Sequence, residues 1–276
     1  MRRRRARKSD RAERGGLLRL IVIVALLAWI VRSLIFAPFS IPTGSKLPTL
    51  MIGDYVIVAK WPYGYSRYSF PFQFPPFDGR IVSRLPERGD VVVFRAPGDG
   101  ADFVKRVIGL PGDTVEVRDG ALILNGSPVA RGSIEPLAMA ISPNSPCRLV
   151  PGATVISSER AAERECVYRT YRETLPNGAS YTVIDQVDNA IADNFPATRV
   201  PAGQLFLMGD NRDNSLDSRF SPAEGGVGLV PLDHVIGRAA IIFWSTDGSA
   251  SYAMPWTWFT ALRTERIGKT LATGGK

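Results

Sequence analysis

The stretch DTVEVRDGALILNG, residues 113–126, contains two β-rich runs joined by Asp119 and Gly120. An Asp-Gly pair between runs of alternating apolar residues is a strong short-range signal for a two-residue β-hairpin turn. Comparable runs, separated by Gly, Pro and Asp, are DYVIVAK (54–60), GDVVVF (89–94), DFVKRVIG (102–109), YTVIDQ (181–186), QLFLMG (204–209) and GRAAIIFW (237–244). The sequence therefore predicts a mainly β fold built on an antiparallel sheet.

A long apolar segment precedes the β-rich runs. Residues 17–37 are almost entirely apolar, and residues 1–16 carry eight Arg and Lys side chains. About 20 apolar residues span a bilayer, and a basic flank keeps its end of the segment in the cytoplasm. We expect a single-pass anchor at 17–37 in the inner (plasma) membrane, a cytoplasmic tail at 1–16, and the rest of the chain on the periplasmic or outer face.

A cleavable signal peptide is the alternative interpretation of this N-terminal segment. A basic stretch followed by an apolar stretch is common to both kinds of segment. However, bulky Ile35 and Phe36 precede Ala37, and Pro38 follows it. No small-x-small cleavage site lies at a suitable distance, so the sequence favours an uncleaved anchor.

Charge and cysteine content limit the ligands that the chain is expected to bind. The net charge is +8, but without residues 1–16, Arg19 and Arg32 the chain carries 24 basic and 24 acidic residues. A basic groove for nucleic acid is therefore not expected. Cys147 and Cys166 lie in the exported part, where a disulfide between them is expected. One histidine and two cysteines are too few for a zinc site, and we expect no metal or other cofactor.

The composition changes between residues 127 and 200, where the chain becomes loop-rich and contains both cysteines. We interpret 38–126 and 201–250 as two parts of one β domain, 127–200 as an inserted second lobe, and 251–276 as a C-terminal tail. One continuous sheet is the alternative that the pattern leaves open.

Two aromatic segments suggest contact with a membrane surface. WPYGYSRYSFPFQFPPF, residues 61–77, combines many aromatic residues with four prolines, which a regular strand does not accommodate. It is either a surface that rests on the membrane interface or an extended loop over the β core. Residues 254–259, which include Trp256 and Trp258, are either a second interfacial element or part of a tail helix.

Ser45, in IPTGSKLPTL (41–50), is a candidate nucleophile that would need a base. His234 is the single histidine of the chain, lies between a predicted turn and a strand, and has no evident acid partner. A lysine can serve instead, because burial disfavours its charged form.

Three lysines of the exported part deserve comparison as candidate bases. Lys46 is adjacent to Ser45, and neighbours in an extended chain point to opposite faces. Lys60 ends its run and is expected to be solvated. Lys105 shares an apolar strand face with Phe103 and Val107, which is where a lysine loses its hydration.

Four segments, in order after the apolar segment, resemble the conserved boxes of bacterial signal peptidase I: IPTGSKLPTL, GDVVVF, DFVKRVIGLPGD and MGDNRDNSLDSRF. The resemblance implies a membrane-anchored serine endopeptidase that cleaves signal peptides from secretory preproteins after small-x-small sites. It implies Ser45 as the nucleophile and Lys105 as the general base.

The same resemblance implies roles for further residues. The oxyanion hole would consist of the Ser45 N–H and the Thr43 hydroxyl. Ser215 would orient Lys105, and the supporting residues would be Asp210, Asp217 and Arg219, with Asp217 paired to a cation such as Arg219.

A signal peptide would bind as an extended strand along an exposed sheet edge. The residues expected at this edge are Phe39, Ile41, Pro42, Asp102, Phe103 and Val104. The expected partners are thus signal peptides of preproteins and the lipid bilayer. Lys46 departs from the family, which usually has methionine after the nucleophile. Its charge would either push Lys105 toward neutrality or spoil an apolar substrate contact.

Three other functions are alternatives for this chain or for part of it. A non-catalytic scaffold or receptor with a membrane-anchored β domain would account for the anchor but not for Ser45, Lys105 and Ser215 in matching boxes. A calcium loop at 213–224 would need glycine at its sixth position, where the chain has Ser218. An autopeptidase of the SOS-repressor type would carry a DNA-binding half.

Overall fold

The computed structural model describes residues 2–98, 100–147, 165–188, 191–251 and 253–271, with side chains from residue 16 onward. The side chains of the basic tail and residues 148–164 and 272–276 of the predicted lobe and C-terminal tail lie outside this description. Helix α1 (Arg2–Ile30) is followed by one π-helical turn, Val31–Ile35. The apolar part of this helical segment, Gly16–Ile35, includes the π-helical turn and is long and apolar enough to cross a membrane. Residues 36 and 37, which the hydropathy pattern places in the anchor, belong instead to the first strand.

The strands before residue 127 are β1 (Phe36–Ser40), β2 (Asp54–Ala59), β3 (Tyr65–Ser66), β4 (Arg80–Ile81), β5 (Val91–Arg95), β6 (Asp102–Gly109), β7 (Thr114–Arg118) and β8 (Ala121–Leu124). The later strands are β9 (Ser127–Pro128), β10 (Ala130–Ser133), β11 (Leu137–Ala140), β12 (Glu165–Tyr168), β13 (Thr170–Thr174), β14 (Ser180–Ile184), β15 (Phe195–Arg199), β16 (Gln204–Met208), β17 (Val230–Pro231) and β18 (Val235–Ser245). A short helix, α2 (Thr257–Thr260), follows the last strand.

The main sheet has seven strands in the order β1-β2-β18-β5-β6-β16-β17. Every neighbouring pair in it is antiparallel. A second sheet has the order β15-β7-β8-β9, and smaller ones are β10-β13-β14, β11-β12 and β3-β4. The predicted mainly β, antiparallel fold is thus confirmed.

The Asp-Gly turn joins β7 and β8 as predicted. Arg118 pairs with Ala121, and both turn residues have positive φ, 47° at Asp119 and 74° at Gly120. Two positive φ angles give a turn whose twist matches that of the flanking strands, which explains the preference for Asp-Gly.

The four-stranded sheet draws strands from both sides of residue 127. β7 and β8 precede the predicted insertion, whereas β9 and β15 lie within it. Cys147 and Cys166 form a disulfide, with 5.3 Å between their Cα atoms. Cys166 packs with Leu47 and Ile184 in an apolar cluster below the Ser45 segment. The division of the chain into a β domain and an inserted lobe stays a prediction.

Strand β6 is buried on both faces in its second half. Ile108 packs with Val115 and Phe206 on one face, and Val107 packs with Phe94 and Leu207 on the other. Successive side chains of a strand point to opposite faces, so Lys105 lies on the same face as Val107. A lysine at this position must leave water, as the alternation predicts.

Candidate active site

Ser45 lies in a 3-10 turn, Gly44–Lys46, just after the edge strand β1. Two hydrogen bonds fix the backbone of this turn: the Asn211 N–H donates to the Ser45 carbonyl (3.1 Å), and the Asn211 side-chain amide donates to the Gly44 carbonyl (3.1 Å). The Ser45 side chain is half-buried, and its Oγ lies 3.5 Å from the Thr43 Oγ1. The hydroxyl of Ser45 is therefore held in place yet reachable.

Gly209 is needed where the chain passes beside Ser45. A Cβ at this position would lie 2.1 Å from the Ser215 Oγ and 2.6 Å from the Ser45 carbonyl oxygen. No side chain fits within such distances. The absence of a side chain at Gly209 lets Ser45 and Ser215 approach each other across a single backbone strand.

Lys105 is 1% exposed, and its Nζ donates a hydrogen bond to the Ser215 Oγ at 3.0 Å. Ser45, Lys105 and Ser215 line one cavity of 340 Å³, together with Thr43 and Phe103. Burial lowers the pKa of Lys105 to about 8, an effect that Asp217 opposes and Arg219 assists. An amine that loses its proton near this pH can accept one from a hydroxyl at the same cavity.

Asp217 and Arg219 form a buried pair behind Lys105. The Arg219 Nε donates to the Asp217 Oδ1 at 2.9 Å, and the Gly209 N–H donates to the Asp217 Oδ2 at 2.9 Å. Burial alone would raise the pKa of Asp217, but Arg219 lowers it below its ordinary value. Because the Asp217 charge is balanced by Arg219, it raises the pKa of Lys105 less than an unpaired carboxylate would.

Asp210 is the centre of a separate buried cluster. The Arg106 Nε and Nη2 donate to its two carboxylate oxygens at 2.9 and 2.7 Å, and the Thr49 hydroxyl donates at 2.6 Å. The Lys46 Nζ lies 2.6 Å from the Asp210 Oδ2. Burial would raise the pKa of Asp210, but Arg106 and Lys46 hold it well below its ordinary value.

Sequence reasoning missed several residues of this cluster. Arg106 also stacks over the Tyr181 ring, 4.2 Å from its centroid, and the Tyr181 hydroxyl donates to Glu173. Glu173 in turn pairs with Arg212. An arginine within an apolar strand signals a buried partner, so Arg106 could have been noticed. Glu173 and Tyr181 carry no such signal, because their partners are distant in sequence.

The remaining candidate bases lie elsewhere. The prediction that Lys60 is solvated is wrong: it is 3% exposed, its Nζ donates to the Ser69 carbonyl, and burial followed by Arg32 lowers its pKa to about 8. Its partner Ser69 lies nine residues further along the chain, so the position of Lys60 at a strand end does not reveal its burial. The His234 Nδ1 lies 2.9 Å from the Arg95 carbonyl oxygen, and its ring packs on Tyr68. His234 is not among the residues that line the cavity of Ser45 and Lys105.

A groove of 460 Å³ runs beside Ser45 and contains all the residues expected to bind substrate: Phe39, Ile41, Pro42, Asp102, Phe103 and Val104. Strand β1 is at the edge of the main sheet. Arg106 is the first residue of β6 that pairs with β16, so at residues 102–104 the side of β6 that faces β16 further along is not paired with it. Both segments thus offer unpaired backbone groups near the groove.

The carboxylates of the calcium-loop interpretation are bound within the protein. Asp217 pairs with Arg219, and Glu224 accepts hydrogen bonds from the backbone and hydroxyl of Ser221. Asp213 does lie near two other carboxylates, with ligand atoms of Asp185, Asp193 and Asp213 within 4.8 Å of one another. Asp185 already pairs with Arg131. Acidic side chains in such a group are no evidence of a metal by themselves.

The family of this chain is shown by a family profile and by relatives of similar sequence. The family profile described as signal peptidase, peptidase S26, matches residues 14–244. The chain is 36% identical to signal peptidase I of Rickettsia typhi over 232 residues, 81% of this chain and 77% of that protein. It is 37% identical to signal peptidase I of Rickettsia massiliae over 234 residues, 82% of this chain and 77% of that protein. A crystal structure of a signal peptidase I from Enterococcus faecalis is 28% identical, covers 56% of this chain and 97% of its own, and superposes with a TM-score of 0.29.

Proposed function

This chain belongs to the signal peptidase family, peptidase S26, and on that premise we propose that it cleaves signal peptides with Ser45 as nucleophile and Lys105 as general base. The observation that carries the proposal is the buried Lys105 amine, hydrogen-bonded to Ser215 and sharing a cavity with Ser45. Among the described lysines, Lys46 faces Asp210 and Lys60 faces the Ser69 carbonyl. Lys105 is thus the buried lysine whose surroundings suit a base for Ser45.

The reaction begins when the neutral amine of Lys105 accepts the proton of the Ser45 hydroxyl. The Ser45 Oγ attacks the carbonyl carbon of the scissile peptide and forms a tetrahedral intermediate. The Ser45 N–H and the Thr43 hydroxyl donate to the oxyanion that develops there. Protonated Lys105 then gives its proton to the leaving amine, and the peptide bond breaks to leave an acyl-enzyme.

Deacylation repeats these steps with water as the nucleophile. The neutral amine of Lys105 takes a proton from a water molecule, and the resulting hydroxide attacks the ester carbon. Collapse of the second tetrahedral intermediate returns the proton to Ser45 and releases the signal peptide. Ser215 holds the lysine side chain toward the cavity throughout, since its Oγ lies 3.0 Å from the Lys105 Nζ.

The groove beside Ser45 is the proposed binding site for the end of the signal peptide. An extended peptide can pair with the unpaired backbone of β1 and of residues 102–104. Alternate side chains of that peptide then face the groove wall, which includes the apolar side chains of Phe39, Ile41 and Val104. We expect Ala-x-Ala to be accepted for this reason, and larger groups at these positions to be excluded.

The proposed orientation places the N-terminus in the cytoplasm and the catalytic β domain on the outer face. The apolar helix fits a membrane anchor. Aromatic residues of the 61–77 segment meet the end of this helix: Phe70 packs on Trp29, and the Tyr65 hydroxyl donates to the Leu34 carbonyl. Phe72 and Phe259 are 97% and 79% exposed. We propose that these exposed aromatic groups rest in the interfacial layer of the bilayer.

Mass spectrometry of a preprotein with an Ala-x-Ala site tests this function. The full chain, Ser45→Ala and Lys105→Met are each incubated with the preprotein in detergent micelles at alkaline pH. Cleavage after the second alanine by the wild type alone is expected. Cleavage by Lys105→Met at the wild-type rate would remove Lys105 from the mechanism, and lack of cleavage by the wild type would favour a non-catalytic scaffold.

A further inference from the structure

Arg32 lies at the end of the apolar segment and also lines the substrate groove. It belongs to the π-helical turn, Val31–Ile35, that follows α1. Its side chain is exposed, and it shares the lining of the 460 Å³ groove with Phe39 and Ser45. A long arginine side chain near the end of a membrane-spanning helix extends toward the polar headgroups. The anchor therefore contributes one cation to the groove.

The guanidinium of Arg32 is not needed to cap its own helix. The last carbonyl groups of a helix lack partners within it, and a basic side chain of the last turn often binds them. Here the Tyr65 hydroxyl donates to the Leu34 carbonyl at 2.9 Å, and the Lys60 N–H donates to the Ile35 carbonyl at 3.0 Å. Within the described part of the chain, the Arg32 side chain has no ion pair and no hydrogen bond. Its N–H donors are thus available to a ligand in the groove.

Arg32 and Ser45 lie toward opposite ends of the groove. Arg32 precedes the extended strand β1, and Ser45 follows it. Residues 38–43, between them, line the groove. Five steps along an extended chain, at roughly 3.3 Å each, span about 16 Å. The groove therefore holds about five residues of an extended peptide between the bond at Ser45 and the region of Arg32.

A signal peptide brings a second helix end to this region. Its apolar part crosses the membrane as a helix, and its basic N-terminal flank remains in the cytoplasm, as the basic tail of this chain does. The two helices are therefore parallel, and both end toward the outer face. The part of the signal peptide that enters the groove must run from Ser45 back toward the anchor, because the apolar helix stays in the bilayer.

The end of that helix exposes carbonyl groups that need donors. The last four C=O groups of a helix have no partner within it and form the negative end of the helix dipole. Near the hydrocarbon region, an unpaired carbonyl group costs free energy because water is scarce. A guanidinium supplies a positive charge and several N–H donors in one plane. Asp102, which also lines the groove, pairs with Arg95 at 3.1 Å and does not occupy Arg32.

We propose that Arg32 is a specificity-determining residue, which binds the last main-chain carbonyl groups of the apolar helix of the signal peptide. This inference rests on the proposed cleavage of signal peptides by this chain. Arg32 favours substrates whose helix ends about five residues before the cut, because their carbonyl groups then lie beside the guanidinium while the scissile bond lies at Ser45. It contributes to substrate binding and takes no part in the chemical step.

Two substrates that differ in their apolar helix test this role. One is a preprotein with a complete signal peptide, and the other is a soluble peptide with the same Ala-x-Ala site and no apolar segment. The wild type, Arg32→Gln and Arg19→Gln are assayed as full chains in dodecyl maltoside micelles, which contain no phosphate. Arg19 is the matched control, because it is an exposed arginine near the opposite end of the same apolar segment.

For Arg32→Gln we expect kcat/KM on the preprotein to fall by about tenfold, mainly through KM, because a charge-assisted hydrogen bond is lost. The soluble peptide should be cleaved as by the wild type. Arg32→Lys should lose about threefold on the preprotein, since lysine keeps the charge with fewer donors. Arg19→Gln should leave both substrates unaffected.

A second preprotein, with four polar residues inserted before the Ala-x-Ala site, moves the helix end away from Arg32. The wild type and Arg32→Gln should cleave this substrate with the same kcat/KM. A tenfold difference that persists with the inserted residues would overturn the proposal, because the effect would not depend on the position of the helix end. Circular dichroism checks the fold of each variant, and Arg32→Lys repeats the comparison if Arg32→Gln does not fold.

Equal losses on the preprotein and on the soluble peptide would also contradict the proposal, since they would place Arg32 in support of the groove itself. A loss seen in phosphatidylglycerol vesicles but not in maltoside micelles would assign Arg32 to a lipid phosphate instead. The parallel assay of Lys105→Met separates two failures. Cleavage by Lys105→Met at the wild-type rate would refute the proposed function, whereas an inactive Lys105→Met beside an unaffected Arg32→Gln would refute the role of Arg32 alone.

Discussion

Two neighbouring buried sites treat charge in opposite ways. Around Asp210, three groups donate or pair with one carboxylate: Arg106, Lys46 and Thr49. Around Lys105, the amine has a hydroxyl partner, Ser215, and no ion-pair partner among the residues that the structure describes. The buried carboxylate of Asp210 keeps its charge because the Arg106 guanidinium holds both of its oxygens, whereas the buried amine of Lys105 has a hydroxyl partner and loses its proton more readily than an exposed lysine. The Asp210 site therefore stabilises the fold, and the Lys105 site is available for chemistry.

The largest effect is expected at the paired site. Asp210→Asn leaves the Arg106 guanidinium buried with no carboxylate beside it, and we expect the free energy of unfolding to fall by about 3 to 5 kcal/mol. Denaturant titration of the full chain in micelles, followed by circular dichroism, measures this loss. Glu116→Gln is the control, because its partner Arg118 is largely exposed and such pairs contribute about 0 to 1 kcal/mol. Equal losses in both variants would contradict the contrast.

Gly209 lies between the two sites, and its replacement tests how closely they are fitted. Gly209→Ala places a Cβ against Ser215 and the Ser45 carbonyl. We expect kcat to fall by about 100-fold, because displacement of a reacting group by about 1 Å has an effect of this size. Gly132→Ala is the control, since a Cβ at Gly132 meets open space. An unchanged kcat in Gly209→Ala would show that the two hydroxyls tolerate displacement.

A smaller effect is expected from the hydroxyl that orients the base. Ser215→Ala removes the hydrogen bond to the Lys105 amine. The net contribution of one such bond is about 1 kcal/mol, so kcat should fall by about fivefold. KM should not change, because Ser215 is not among the residues that line the substrate groove. Steady-state kinetics with a preprotein measures both constants, and an increase in KM alone would place Ser215 in binding.

The smallest effect is expected at the exposed aromatic surface, which belongs to neither of the two buried sites. Phe72→Ser replaces a ring that is 97% exposed, so the fold should not change. We expect cleavage of a membrane-inserted preprotein in proteoliposomes to slow by about two- to threefold, since a ring at an interface gains only part of the roughly 1.5 to 3 kcal/mol that full burial of a Phe side chain provides. Cleavage of a short soluble peptide should remain the same. Equal slowing of both substrates would argue against a membrane contact.

The contrast between the two sites also shows what the sequence can and cannot predict. Alternating apolar runs and the Asp-Gly turn predicted the antiparallel sheet, because strand patterning and turn chemistry are local. The burial of Lys105 followed from its place between Phe103 and Val107. The contacts within the Asp210 cluster could not be predicted from the sequence, because Arg106 and Asp210 are 104 residues apart and no local pattern joins them. Lys60 was misjudged for the same reason, since its cover comes from residues beyond its own strand.

Most of the short strands between residues 127 and 200 were beyond local reasoning, although the run YTVIDQ (181–186) did predict β14. β9 has two residues and β10 to β12 have four each. Runs of this length carry too little periodicity to be distinguished from loops. Their pairing partners, not their own sequences, determine their structure. Glu173 of β13, which supports Arg212, illustrates a contact of this kind.

The role of Lys105 as a neutral base can be measured through the pH dependence of kcat/KM for the wild type, because this ratio reports the ionisation of the free enzyme. Lys105 must be neutral to accept the Ser45 proton, and burial lowers its pKa to about 8. Cleavage of an Ala-x-Ala preprotein should therefore rise with pH along a limb centred near 8 and level off above it. A limb near 10.5, the ordinary value for lysine, or a rate independent of pH from 6 to 10, would contradict the assignment of Lys105 as a buried, neutral base.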